Sequence, residues 1–437
     1  MSMARLVLHR LRRVTTNGEY VAEVDGIRCL AIAMVFMFHL HDRVLRHFPG
    51  DADTIRNGFA HSLLLHGKEG VSIFFALSGY ILYKLLSQPL LEGRSLSLST
   101  YWLRRATRLE PPYVIITTII ALFLVTTGYQ TGGHFVGSSD GSLALSYLCT
   151  ITYCHMLVFG RPPSLNPPGW SLEVEIQFYI IAPLLAIYLI RMARPAIRCG
   201  VVIVAIVVWC LAAQPIIGQH PMLGFTIIKG LPFFLVGIVV CEAIREADLC
   251  GDKFEWPSWF LDICALLSLG CLVGVYQSPL SWVPLILIQC VLVLFILLGA
   301  LRGRVVRSIA ANSTIAVIGG MCYTLYLTHV PIVELVTRLT RGWLNGIPYW
   351  PLLAIELLIT LPFALIGGAV AFVLIEKPCM RKTWPADLWG WMTHKSSRSN
   401  VVSAAQHQRI VVADLVESTG CDKMATVLND QPRLGSS

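Results

Sequence analysis

The chain has 437 residues, of which 55% are hydrophobic and only 14% charged, with a net charge of +8. Soluble domains carry about 25% charged residues, so this balance and a mean hydropathy of +0.66 exclude a water-soluble globular class. The composition points to an all-α, polytopic integral membrane protein.

A hydrocarbon core of roughly 30 Å takes about 20 apolar residues in a helix. On that measure ten spans are predicted, at 27–45, 70–87, 111–128, 171–190, 200–217, 224–242, 259–276, 282–301, 313–337 and 351–375. A further apolar stretch, 143–159, runs into the prolines of RPPSLNPPGW. Proline cannot continue a helix, so this stretch reads as re-entrant or interfacial. Residues 1–24 form a basic N-terminal segment on the cytoplasmic leaflet. Residues 25–382 form the transmembrane domain, and 383–437 a polar, mostly disordered cytoplasmic tail.

With the N-terminus in the cytoplasm, twenty lysines and arginines up to residue 382 fall on inner segments and seven on outer ones. That asymmetry follows the positive-inside rule. It places both termini in the cytoplasm and the spans in the cytoplasmic (inner) or plasma membrane. The net charge then expresses orientation, and no basic-aromatic groove suggests nucleic acid. The thirteen cysteines contain no CxxC pair, and small apolar packing is their expected role. No HExxH or similar spacing suggests a metal. His41, His47, His61 and His66 read as loop residues.

Ionisable residues within apolar runs are costly, which makes them functional candidates. In IRCLAIAMVFMFHLHDR (27–43), Arg28 and His39 lie on one helix stripe, separated by about 16 Å of rise and about 20° of rotation. Taken singly, Arg28 could be an inner anchor and His39 an interface histidine. Arg104, Arg105 and Arg108 cluster near the inner end of the third span. Glu175 lies in the first turns of the fourth span, where an acid also suits the helix dipole, and Glu173 fits that hydrated role better. Ser171 could cap the same helix. Lys229 lies inside the sixth span, and His329 precedes Pro331, which bends its helix.

VDGIRCLAIAMVFMFH resembles the first-helix signature of the membrane-bound acyltransferase family 3, in which an Arg is followed by ten residues and a His. These are O-acyltransferases that decorate cell-surface glycans. GVSIFFALSGYIL (70–82), YWLRRATRLEPPY (101–113), WSLEVEIQFYIIAPLL (170–185), KGLPFFLVG (229–237) and YTLYLTHVPI (323–332) are similar to its later blocks, in the family's order. The chain departs from the pattern at Tyr80, at Glu110, and at Thr328 and Val330 beside His329.

The resemblance implies an acyl-CoA-dependent O-acyltransferase with no permanently bound cofactor. It would move an acetyl group from cytoplasmic acetyl-CoA to a hydroxyl of a cell-surface or exported glycan or glycolipid. On this reading His39 is the general base, a role that suits a neutral imidazole, and Glu175 orients it. Arg104, Arg105 and Arg108 meet the phosphates of coenzyme A through their guanidinium forks, and Arg28 belongs to the donor side. Ser78 and Gly79 admit the pantetheine arm, while Lys229, Trp170 and His329 lie on the acceptor side. A transporter or flippase of glycan precursors is the alternative from another class, and internal repeats would favour it. The sequence has none. A purely structural scaffold would leave the intramembrane Arg, His, Glu and Lys unexplained.

Overall fold

The computed structural model describes residues 11–13, 20–48, 55, 58–127, 142–251, 256–274 and 282–380. The expected C-terminal tail and most of the N-terminal segment lie outside the described residues. The described residues form helices and connecting loops, with no strand.

Helix α1 (Ala22–His47) runs past its apolar stretch because its polar end is paired. Arg46 bonds Asp42 one turn back at 3.1 Å, and Arg43 and His47 each reach Glu334 at 3.1 Å. This corrects the loop assignment of the histidines. His41 is fully buried within α1 and joined to Tyr349 and, at 2.7 Å, to His61 on a short helix, Phe59–Leu65. His66 is buried as well.

Helices α2 (Gly70–Leu91) and α3 (Leu98–Thr127) follow. The 143–159 stretch forms two short helices, α4 (Leu143–Ile151) and α5 (His155–Phe159), parted by Tyr153 at a φ of 56°. At about 1.5 Å per residue neither is long enough to span a bilayer. Glu173 ties this segment to the bundle. It is fully buried, not hydrated as its sequence position suggests, and its Oε2 accepts the Met156 backbone N–H at 3.0 Å, in the first turn of α5.

The remaining helices of eight or more residues are α6 (Trp170–Ile190), α7 (Pro195–Gln219), α8 (Ile227–Cys250), α9 (Ser258–Gly274), α10 (Trp282–Arg302), α11 (Ser313–Gly320), α12 (Cys322–Leu344) and α13 (Tyr349–Ala371). Among the described residues, eight helices are long and apolar enough to cross a membrane, or nine if α11 and α12, bent by 72°, make one span. The remaining expected span is α9, which is apolar and of which 17 residues are described. Large apolar side chains such as Leu184, Leu358 and Leu374 are more than two-thirds exposed, as a surface facing lipid requires.

Helix α2 packs on α8 and α6, and α1 on α11 and α12. Glycines set the α2–α8 approach. A Cβ on Gly79 would stand 2.0 Å from the Phe234 carbonyl oxygen, and one on Gly237 would stand 1.9 Å from that of Ala76. In lipid, where packing must replace the hydrophobic drive, small residues permit such contact. Phe75 and Phe178 stack on Phe234, at centroid distances of 4.7 and 4.1 Å. Nearby, the fully buried Glu242 receives Arg198 at 3.0 Å, Arg245 at 2.7 Å and the Tyr83 hydroxyl at 2.6 Å. The cysteines among the described residues are all free.

Candidate active site

A cavity of about 120 Å³ opens where α1, α2, α3 and α6 meet the break between α11 and α12. Arg28, Arg105 and Arg108 line it, with Ser78, Glu175, Tyr179 and Tyr326. Each arrives by a simple local rule. Arg105 and Arg108, three apart on a helix, share a face. Glu175 and Tyr179, four apart, do likewise, and the Tyr179 hydroxyl donates to the Glu175 carboxylate at 2.7 Å. Ser78, from the helix opposite, donates to the same oxygen at 2.6 Å. The Arg105 guanidinium lies 5.6 Å from the Tyr179 ring centroid, within cation–π range. Arg28 is bound to Asp25, itself 2% exposed.

Beyond the cavity wall stand two histidines. His39 is half-buried, and its ring centroid lies 5.1 Å from that of His329, which is 2% exposed. The His329 Nδ1–H donates to the Tyr326 carbonyl at 2.7 Å, and its Nε2 is buried with no partner among the described residues. Tyr326 separates the two regions. Its ring contributes to the cavity wall and lies 5.6 Å from the His329 ring, and its hydroxyl is bonded to Ser171 at 2.7 Å and to the Pro168 carbonyl at 3.0 Å. Ser171 is therefore engaged with Tyr326 and Pro168 and does not cap α6.

The site residues expected from sequence divide accordingly. Arg28, Arg105, Arg108 and Ser78 come together in the cavity. Glu175 joins them, so its partners are Ser78 and Tyr179, and the expected pairing with His39 gives way to a His39–His329 pair. Glu175 sits six residues into α6, on the face that meets α2. Arg104 is exposed and does not line the cavity, because it lies about 100° around α3 from Arg105. Gly79 likewise faces α8, where its missing side chain admits the Phe234 backbone. Trp170 packs edge-on to Phe75 and Phe225 at 6.2 and 5.1 Å, and Lys229 lies in the first turn of α8 against Gly224. Neither lines the cavity.

Sequence reasoning passed over Arg13, Asp25, Tyr326 and Glu376. Glu376 is 1% exposed, lines the cavity from a π-helical turn, Phe372–Glu376, and accepts the Thr324 backbone N–H at 3.3 Å. An acid directly following an apolar run was the available signal, since such a group needs a buried partner. Arg13 had no sequence signal beyond positive charge. Among the described residues, no group of His, Cys, Asp or Glu is arranged to hold a metal ion.

The arrangement offers guanidinium groups for an anion on one side of Tyr326 and imidazoles for proton transfer on the other. A family model described as an acyltransferase domain matches residues 21–374. The peptidoglycan O-acetyltransferase OatA of Listeria monocytogenes is 25% identical over 358 residues, covering 75% of this chain and 52% of that protein. The O-acetyltransferase OatA of Staphylococcus aureus is 23% identical over 383 residues, covering 85% and 59% respectively. The chain thus spans little more than half the length of these curated relatives. No solved structure matches it.

Proposed function

Because the chain belongs to the membrane-bound acyltransferase family 3, we propose that it is an integral membrane O-acetyltransferase using cytoplasmic acetyl-CoA as its donor. The acceptor is a hydroxyl of a cell-surface or exported glycan or glycolipid. The Listeria relative is named for peptidoglycan, a glycan of the cell envelope, which supports that acceptor class. The charge asymmetry of the loops supports a cytoplasmic location for both termini, with the protein in the cytoplasmic or plasma membrane.

The observation that carries the reading is the juxtaposition of the arginine-lined cavity with the His39–His329 pair across a single tyrosine. Guanidinium forks match phosphate oxygens, so Arg28, Arg105 and Arg108 hold the pyrophosphate end of the donor. The thioester then points toward Tyr326. An acceptor hydroxyl gives its proton to the neutral His39 as its oxygen attacks the thioester carbonyl. The ester C–O bond forms, the C–S bond breaks, and coenzyme A leaves as a thiolate that takes up a proton. His329, whose Nδ1–H is committed to a backbone carbonyl, presents Nε2 to the reacting side and supports the imidazolium that forms on His39.

The test supplies acetyl-labelled acetyl-CoA to inside-out membrane vesicles carrying the protein and follows label into alkali-labile esters on extracted glycans. Label that depends on both the protein and His39 is expected. Esterification that proceeds from another acyl donor, with acetyl-CoA inert, would overturn the donor assignment.

A further inference from the structure

The donor cavity holds one arginine that belongs to none of its helices. Arg13 precedes α1 in the basic N-terminal segment, yet it lines the cavity beside Arg28, Arg105 and Arg108. Its position is built by several contacts. The Arg13 guanidinium bonds Asp25 at 3.1 Å, sharing that carboxylate with Arg28. Arg12 lies 4.4 Å over the Tyr20 ring, and Leu11 packs against the main hydrophobic core. Residues 11–13 are thus folded back onto the start of α1.

We propose that this N-terminal arm is part of the donor site and that Arg13 binds a phosphate of the acyl donor. The inference rests on the donor reading above and extends it to a segment that composition alone would assign to membrane anchoring.

Electrostatics supports the geometry. Four guanidiniums face the cavity with two carboxylates, Glu175 and Glu376, while Asp25 backs Arg13 and Arg28. Nε of Arg13 and Nε of Arg108 are buried without a hydrogen-bond partner. Like charges held together out of water raise the energy of the unliganded site, and an anion relieves it. The Arg108 guanidinium, followed by burial, pushes the Arg13 pKa down to about 9, so it remains charged at neutral pH. A phosphate dianion offers several acceptor oxygens for such donors.

The experiment uses the full chain in lipid nanodiscs, coenzyme A as the binding probe, and acetyl-CoA for turnover. Arg13→Gln should weaken coenzyme A binding about tenfold or more, because a hydrogen bond to a charged partner is lost. The KM for acetyl-CoA should rise by a similar factor while kcat at saturating donor is retained. Arg13→Lys should recover part of the affinity. Arg94→Gln, an exposed arginine paired with Glu92 and away from the cavity, is the charge control and should bind like the parent. Two results overturn the arm's role. One is parental coenzyme A affinity in Arg13→Gln while Arg108→Gln is impaired, which leaves the donor reading standing. The other is a loss of melting temperature and kcat in Arg13→Gln with KM unchanged. If the parent protein itself binds no coenzyme A, the donor reading fails and the arm's role falls with it.

Discussion

His329 and Tyr326, three residues apart on α12, are tied by a 2.7 Å bond from the imidazole Nδ1–H to the tyrosine carbonyl. A carbonyl can only accept, so this bond assigns the tautomer and leaves Nε2 as a lone-pair acceptor. That nitrogen is buried and unpartnered among the described residues, on a ring whose neighbour is His39. Buried polar atoms are costly to leave unpaired, and an imidazolium formed on His39 would give this nitrogen a hydrogen-bond donor to accept from.

The two histidines should therefore behave unequally. His39→Ala should abolish acetyl transfer, read by mass spectrometry of released glycans, while membrane insertion and melting stay parental. His329→Ala should lower kcat by roughly 10²-fold, the low end for a lost proton-transfer partner. Its donor KM should be unchanged, because His329 does not line the arginine cavity. An altered KM with parental kcat in His329→Ala would contradict the assignment.

Neighbouring arginines on α3 should separate by face. Arg105→Gln and Arg108→Gln should each raise the KM for acetyl-CoA about tenfold, since each removes a charge-assisted contact. Arg104→Gln, exposed and outside the cavity, should leave KM within about twofold. Equal effects at all three positions would mean that the cluster acts as a diffuse positive field.

Glycine substitutions test the α2–α8 contact without touching polar chemistry. Gly79→Ala and Gly237→Ala should each destabilise by about 1–3 kcal/mol or more, because the new methyl meets backbone atoms that cannot turn aside. Gly200→Ala, on α7 with open space around it, should not. Thermal unfolding in detergent distinguishes them.

Removing the carboxylate of Glu242 should be among the most damaging changes outside the active site. Glu242→Ala strands Arg198 and Arg245 in the interior, a loss of about 3–5 kcal/mol for a broken buried ion pair. Activity per folded molecule should survive, since the cluster lies apart from the cavity lining. Normal stability in this variant would show that the arginines find other partners.

Hydropathy made the bundle legible because the bilayer imposes a length on every apolar run. It located the helices that carry the site, and the eleven-residue spacing of Arg28 and His39 put both on one face. Side-chain partnerships were harder to read. Glu175 was assigned to His39 because both were placed toward one end of the bilayer, but its actual partners, Ser78 and Tyr179, depend on how α2 and α6 meet. The polar end of α1 looked like loop because its stabilisation comes from Glu334, far away in sequence. Glu376 was hidden for a related reason: its partner is a backbone N–H exposed by the break before α12. Periodicity describes one helix at a time, and these contacts belong to pairs.

The glycine contacts between α2 and α8 also have a mechanical consequence. Backbone pressed against backbone at both Gly79 and Gly237 interlocks the two helices against sliding. The opposite wall is built differently: α12 begins at a 72° bend and carries Tyr326 and His329 on the same turn. Any rotation of that turn that pulls the tyrosine hydroxyl from Ser171 carries the imidazole with it. The tyrosine barrier and the unpartnered His329 Nε2 are thus two ends of one lever, with Met321 beside its fulcrum.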